Sequence, residues 1–81
     1  MHIKIYSTAT CGYCHKLKAY LDEHEVAYED VRVDTDQDAA REMVTLSGQM
    51  GVPFTVVTKD DGQQVSVLGF DQQSFRELLN I

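Results

Sequence analysis

Cys11 and Cys14 enclose Gly12 and Tyr13 and are the two cysteines of an 81-residue chain. A disulfide closing so short a loop stabilises a fold by at most about 2 kcal/mol, against about 3 for a fifteen-residue loop. A pair placed where it stabilises little is better suited to being made and broken. The spacing suits that chemistry, because helix positions three apart bring side chains within about 5–6 Å, close to disulfide reach. At a helix N-terminus, Cys11 would meet unpaired backbone N–H groups and the positive end of the helix dipole, both of which favour a thiolate. Lys16 and Lys18, with no acid before Asp22, act in the same direction.

Other chemistries fit the same residues. Cys11-Gly12-Tyr13-Cys14-His15 also spells the c-type haem attachment pattern, and His2, His15 and His24 are available to complete a zinc site. Haem attachment normally follows export, and Met1–Tyr6 shows no export signal. Two buried structural thiols are the blandest reading. Redox exchange uses the pattern most fully, and no metal is assigned.

The cysteines need a strand before them and a helix after them. Ile3 and Ile5 alternate in a short strand over His2–Tyr6, and Ser7–Thr10 is a polar loop. Cys14, Leu17, Tyr20 and Leu21 recur at helical spacing, which predicts a helix from Gly12 to about His24. A second strand is expected over Val26–Val33, with Tyr28, Val31 and Val33 as its apolar members. The acidic Thr35–Asp38 segment can start a second helix over Gln37–Leu46, with Gly48 as its left-handed cap, or offer a partner surface. Val52–Val57 and Gln64–Leu68, separated by Asp61-Gly62, read as an antiparallel hairpin set at the edge of a parallel unit. Asp71 can cap a last helix carrying Phe75, Leu78 and Leu79. The order β-α-β-α-β-β-α implies an α/β fold with a four-stranded mixed sheet flanked by three helices, one domain over residues 1–81.

Composition narrows the function. Seven basic and thirteen acidic residues give a net charge of −6, the wrong sign for a phosphate-neutralising protein, so nucleic acid is not an expected partner. The charge is uneven: Met1–Leu21 holds three lysines and no acid, +3, and the remainder holds four basic and thirteen acidic side chains, −9. The locally positive part contains both cysteines. No apolar run approaches the roughly 18–20 residues of a membrane span. A cytoplasmic monomer is expected.

Ile5-Tyr6-Ser7 followed by Thr10-Cys11-Gly12-Tyr13-Cys14-His15 resembles the opening of a glutaredoxin. Ser47-Gly48-Gln49, Gly51-Val52-Pro53 and Gly69-Phe70-Asp71 extend the likeness over nearly the whole chain. The resemblance implies the thioredoxin fold and dithiol–disulfide oxidoreductase activity, with electron transport and cell redox homeostasis as its setting. Cys11 and Cys14 are then the catalytic pair. It also implies a cis peptide bond before Pro53, with Pro53 facing Cys11 and the Val52 backbone free to pair with a substrate chain or glutathione. Thr8, Tyr13, Gly69, Phe70 and Asp71 are expected to border the substrate site. From the sequence alone, Tyr13 can equally be an exposed aromatic, Phe70 a core cap and His15 a solvated helix residue. Phe54, Val56, Phe75 and Leu78 are expected in the core, and Met43, Val44 and Met50 in packing.

Three departures bear on the electron donor. Thr8 stands where glutathione-using members usually place a Lys, Leu68-Gly69 replaces a Gly-Gly, and Gln72 replaces the second acid after the last strand. A charge-assisted hydrogen bond contributes about 1.5–3 kcal/mol, so these changes imply weakened glutathione binding. The pattern is similar to that of the NrdH-redoxins, which take electrons from thioredoxin reductase. The resemblance thus implies disulfide-containing protein substrates, with ribonucleotide reductase among the candidates. Thioredoxin reductase or glutathione would be the donor, and no cofactor would be tightly bound. A glutathione-dependent glutaredoxin, with glutathione as cosubstrate, is the alternative. So is an iron–sulfur cluster carrier, because Gly12 replaces the usual Pro between the cysteines.

Overall fold

A computed structural model describes all residues, Met1–Ile81. The alternation of Ile3 and Ile5 with His2, Lys4 and Tyr6 gives strand β1, His2–Ser7, two faces to bury, and it lies inside the sheet. The sheet order is β2-β1-β3-β4, with β2 at Glu29–Arg32, β3 at Phe54–Thr58 and β4 at Gln64–Leu68. β1 runs parallel to β2, from Lys4↔Glu29 to Ser7↔Arg32, and antiparallel to β3, from His2↔Thr58 to Tyr6↔Phe54. The hairpin expected at an edge therefore places β3 beside β1, and of its two strands β4 alone is an edge, β2 being the other edge of the sheet. The β3 run Phe54–Val57, buried throughout, is the composition of an interior strand.

Helices α1, Gly12–Glu23, and α3, Gln72–Leu79, cover one face of the sheet. Leu17, Leu21 and Phe75 pack there on Ile3, Ile5, Val57 and Val67. Helix α2, Gln37–Ser47, covers the other face, where Met43 meets Tyr6, Phe54 and Val56. Tyr6 Oη donates to Glu42 Oε1, and Lys4 Nζ lies 2.9 Å from the same oxygen, which ties α2 to β1. Asp36 caps α2 by accepting from Ala39 N at 3.1 Å, so the acidic segment before this helix has a structural role. Gly48, with φ +72°, ends it as its spacing predicts.

Two expectations are corrected. The second strand is shorter than Val26–Val33, because Glu25 turns the chain with a left-handed φ of 57° and Val26 and Tyr28 pack against the α1 side of the core. Val44, Leu46 and Met50 are exposed, Met50 to 78%. As the sole helix on its face, α2 buries only one stripe, Ala39 and Met43. Phe54, Val56 and Phe75 are buried, and Leu78 is half-buried against the core. No helix is long and apolar enough to cross a membrane.

Candidate active site

β1 ends at Ser7, which is fully buried and donates from Oγ to Asp30 Oδ1 at 2.6 Å. The chain then leaves the sheet through Thr8–Thr10 and enters α1 at Cys11, the N-cap. Its extended backbone, φ −82° and ψ 109°, lets Sγ accept from Cys14 N at 3.1 Å. Serine and aspartate oxygens usually take this position; here a sulfur receives the first-turn N–H and the helix dipole. No acid lies in the first turn to oppose a thiolate.

The two sulfurs lie near disulfide distance, with their Cα atoms 5.2 Å apart. Their surroundings differ. Cys11 is half-buried and Cys14 is fully buried, so an incoming group reaches Cys11 first.

The facing wall is the segment that enters β3. The Val52–Pro53 bond is cis, as the family resemblance implies, and Cys11 Sγ lies 3.7 Å from the Val52 carbonyl oxygen. Two contacts hold this wall. Gly69 N donates to Pro53 O at 2.8 Å, and Gly69 has a φ of +78°, a conformation that favours glycine. The Gln49 side chain brackets Gly51, donating from Nε2 to Gly51 O at 3.2 Å and accepting from Gly51 N through Oε1. Val52 makes no backbone hydrogen bond of its own.

Of the other expected site residues, Tyr13 stands 64% exposed beside the cysteines, with Lys16 Nζ 5.3 Å from its ring centre. Thr8 is half-buried, and its carbonyl accepts from Cys11 N at 3.4 Å. Phe70 is half-buried against the core, its ring 5.7 Å from that of Tyr20. Asp71 caps α3, accepting from Ser74 N at 3.3 Å and Ser74 Oγ at 2.8 Å. Those Ser74 bonds lower its carboxyl from the ordinary value. Lys18, expected beside Lys16 as a free cation, pairs with Asp30 at 3.1 Å, so Lys16 is the lysine of α1 whose charge is not matched by an acid. The histidines are dispersed: His2 faces Glu29 and His24 stacks on Tyr20, whereas His15 Nε2 reaches the Ala9 carbonyl at 2.8 Å.

Gln49, Arg32 and Asp34 were not singled out by sequence. Arg32 and Asp34 sit two apart at the end of β2, and Asp34 meets Ala9, 25 positions earlier. No local pattern marks such a contact.

A Cys-x-x-Cys pair at the strand-to-helix junction of a β2-β1-β3-β4 sheet, with the carbonyl of a cis Val52–Pro53 bond beside its first sulfur, defines the thioredoxin-fold class of proteins. Within that class, the family model for glutaredoxin matches residues 3–61, and the chain belongs to the glutaredoxin family. It is 40% identical over 77 residues to an uncharacterized glutaredoxin-like 8.6 kDa protein in the rubredoxin operon of Clostridium pasteurianum, covering 95% of this chain and 96% of that one. It is 30% identical over 59 residues to the glutaredoxin-like protein NrdH of Lactococcus lactis, covering 73% of this chain and 78% of the relative. Among solved structures, the glutaredoxin-like NrdH-redoxin from Escherichia coli superposes with a TM-score of 0.77 at 26% identity, over 96% of this chain and 95% of that one.

Proposed function

We propose that this protein is a dithiol–disulfide oxidoreductase that reduces disulfides of protein substrates. The observation that carries the reading is the asymmetry of the pair: Cys11 is half-buried at a helix N-cap and Cys14 is fully buried behind it. In the reduced protein, the Cys11 thiolate attacks one sulfur of a substrate disulfide and forms a mixed disulfide, and the other substrate sulfur leaves as a thiolate that takes up a proton. Cys14, deprotonated, then attacks the Cys11 sulfur. The second substrate thiolate leaves, and the two electrons given up by the protein's thiols become the Cys11–Cys14 disulfide.

Substrate geometry follows from the facing wall. The unengaged Val52 backbone beside Cys11 suits pairing with an extended peptide. Ribonucleotide reductase is a candidate substrate by the likeness to NrdH proteins.

For the donor, the reading favours thioredoxin reductase. Thr8 brings no cation to the half-buried position before Cys11, and Asp71 is occupied with capping α3, with Gln72 following it in place of an acid. A glutathione molecule, with two carboxylates, would find few charge-assisted contacts. The test supplies the purified protein with thioredoxin reductase plus NADPH, and separately with glutathione, glutathione reductase and NADPH, and follows reduction of a protein disulfide. Turnover in the first system is expected. Turnover with glutathione alone would make this a glutathione-dependent glutaredoxin, and turnover in neither would remove the reductase reading.

A further inference from the structure

The Thr8–Thr10 loop that presents Cys11 has one weak internal bond, Cys11 N to Thr8 O at 3.4 Å, and Ala9 and Thr10 are exposed. Such a loop would move freely, yet the Ala9 residue is gripped on both its backbone groups. His15 Nε2, one turn into α1, lies 2.8 Å from Ala9 O, and Asp34 Oδ2, beyond the end of β2, accepts from Ala9 N at 3.1 Å. Asp34 is in turn held by Arg32 in a two-pronged contact, Nε to Oδ1 at 2.8 Å and Nη2 to Oδ2 at 2.6 Å. These bonds hold its carboxyl well below the usual carboxylate range, Arg32 first and the Ala9 N–H second. Because a carbonyl oxygen only accepts, this contact has the imidazole donating through Nε2–H.

The grip has an electrostatic side. Asp34 Oδ2 is 3.1 Å from Ala9 N, and two residues of chain span at most about 7 Å, so the carboxylate lies within about 10 Å of the Cys11 backbone. A bare carboxylate at that range would oppose a thiolate. The Arg32 cation offsets it. The charged groups on the segments that meet or follow the loop are His15, Lys16 and Lys18 on α1, Asp30 and Arg32 on β2, and Asp34 and Asp36 between β2 and α2; Gln49–Pro53 contributes none. Lys18 and Asp30 cancel as a pair, and Lys16 rests over Tyr13.

We propose that Arg32, Asp34 and His15 are positioning residues that hold the Ala9 peptide from both sides and set the reactivity of Cys11, with Arg32 masking the charge of the carboxylate that does the holding. The proposal rests on the reading of Cys11 as the nucleophile. It assigns no substrate contact to these three residues.

The experiment measures the rate of iodoacetamide modification of Cys11 in the reduced protein against pH at low salt, with the modified cysteine mapped by mass spectrometry. Arg32→Ala is expected to raise the pH midpoint by about half a unit. Asp34→Asn keeps an acceptor oxygen for Ala9 and removes the negative charge, so its midpoint falls. Arg32→Lys keeps the midpoint of the parent protein, and both shifts shrink at high salt. Exchange of the Ala9 amide hydrogen accelerates about tenfold in His15→Ala and Asp34→Ala, and stays slow in Asp34→Asn. A general loss of structure would move Arg32→Ala and Asp34→Asn in the same direction. Shifts of one sign, or none in either variant, would overturn the proposal. Failure of the reductase reading shows separately, as absent turnover in the parent protein with both donors.

Discussion

Cys11 Sγ and the carbonyl oxygen of Val52 lie 3.7 Å apart although 41 positions separate them in the chain. The sheet produces this meeting. β1 and β3 are antiparallel neighbours with Tyr6 opposite Phe54, so the end of one and the start of the other lie on the same rim. The segments just beyond that rim, Thr8–Cys11 after β1 and Val52–Pro53 before β3, then face each other. Cys11 and its facing wall are thus held by the two interior strands of the fold.

Under the proposed function, the difference in burial between the two sulfurs sets their order of attack. Cys11→Ser is expected to reduce disulfide turnover to the uncatalysed background. Cys14→Ser keeps the first attack and loses the second, so a mixed disulfide with substrate accumulates and is visible as an adduct in non-reducing mass spectrometry. An adduct on Cys14 in the Cys11→Ser variant, with turnover retained, would reverse the roles.

Thr55 is fully buried in β3 between Ile5 and Val67, and its Oγ1 has no hydrogen-bond partner within the protein. A buried hydroxyl without a partner costs about 1–3 kcal/mol. Thr55→Val keeps the branched shape and removes that cost, so the thermal midpoint should rise by several degrees, at about 4–8 °C per kcal/mol for a domain of this size. A midpoint at or below that of the parent protein would show that the hydroxyl is satisfied.

The order of the elements was legible because each is signalled locally. Ile3 and Ile5 alternate, Leu17 and Leu21 repeat at a helical period, and Asp36, Gly48 and Asp71 sit where caps belong. The strand order within the sheet was less legible: nothing in Phe54–Thr58 itself says that it pairs with β1, and the run Phe54-Thr55-Val56-Val57, free of charged residues, is the one hint of an interior place. At the site, Cys11 and Cys14 declare themselves by spacing. The Lys18–Asp30 pair and the Arg32–Asp34–Ala9–His15 chain do not, because each joins residues brought together by the sheet. Exposure of Val44 and Met50 was also hidden. Periodicity reveals an apolar stripe but not how much neighbouring structure exists to cover it.

Glu42, Asp60 and Asp71 carry carboxyls lowered from their ordinary values, Glu42 chiefly by the bonds from Tyr6 and Lys4, Asp60 by the N-terminal amine, and Asp71 by Ser74. A carboxyl lower in the folded state contributes stability that is complete above its unfolded value, about 4, and is lost as the pH falls through the folded value. The urea midpoint is therefore expected to hold near neutral pH and to decline below about pH 4. Glu42→Gln should start lower and decline less steeply. Identical slopes for the two proteins would separate Glu42 from the acid sensitivity.

Gly12 is the first residue of α1, and a Cβ placed on it would meet nothing within 4 Å. Cys11 before it is already extended, as the residue preceding a proline must be. Proline is favoured at this helix position because its fixed φ is helical and its missing N–H would have no partner within the helix. Gly12→Pro is expected to stabilise the fold by about 0.4–1 kcal/mol through the unfolded chain, raising the thermal midpoint by a few degrees. A lower midpoint would mean that the Gly12 N–H or its flexibility supports the native site.

Gly69 connects β4 to α3 and donates its N–H to Pro53 O at the site wall, and it does so with a φ of +78°. Space does not require glycine there, since an added Cβ meets nothing within 4 Å. The backbone does. An L-residue held in the left-handed region costs about 1–2 kcal/mol, and alanine recovers part of that by restricting the unfolded chain. Gly69→Ala should therefore lower stability by about 1 kcal/mol, and Gly69→Asn by less, because asparagine tolerates this conformation. The order parent, Asn, Ala in urea midpoint is the expected result. If the chain instead relaxes to a negative φ in the alanine variant, the Pro53 bond breaks and the Val52 carbonyl shifts away from Cys11. Stability would then change little while disulfide turnover falls. An alanine variant matching the parent in both stability and turnover would remove Gly69 as the conformational tie between the last strand and the site.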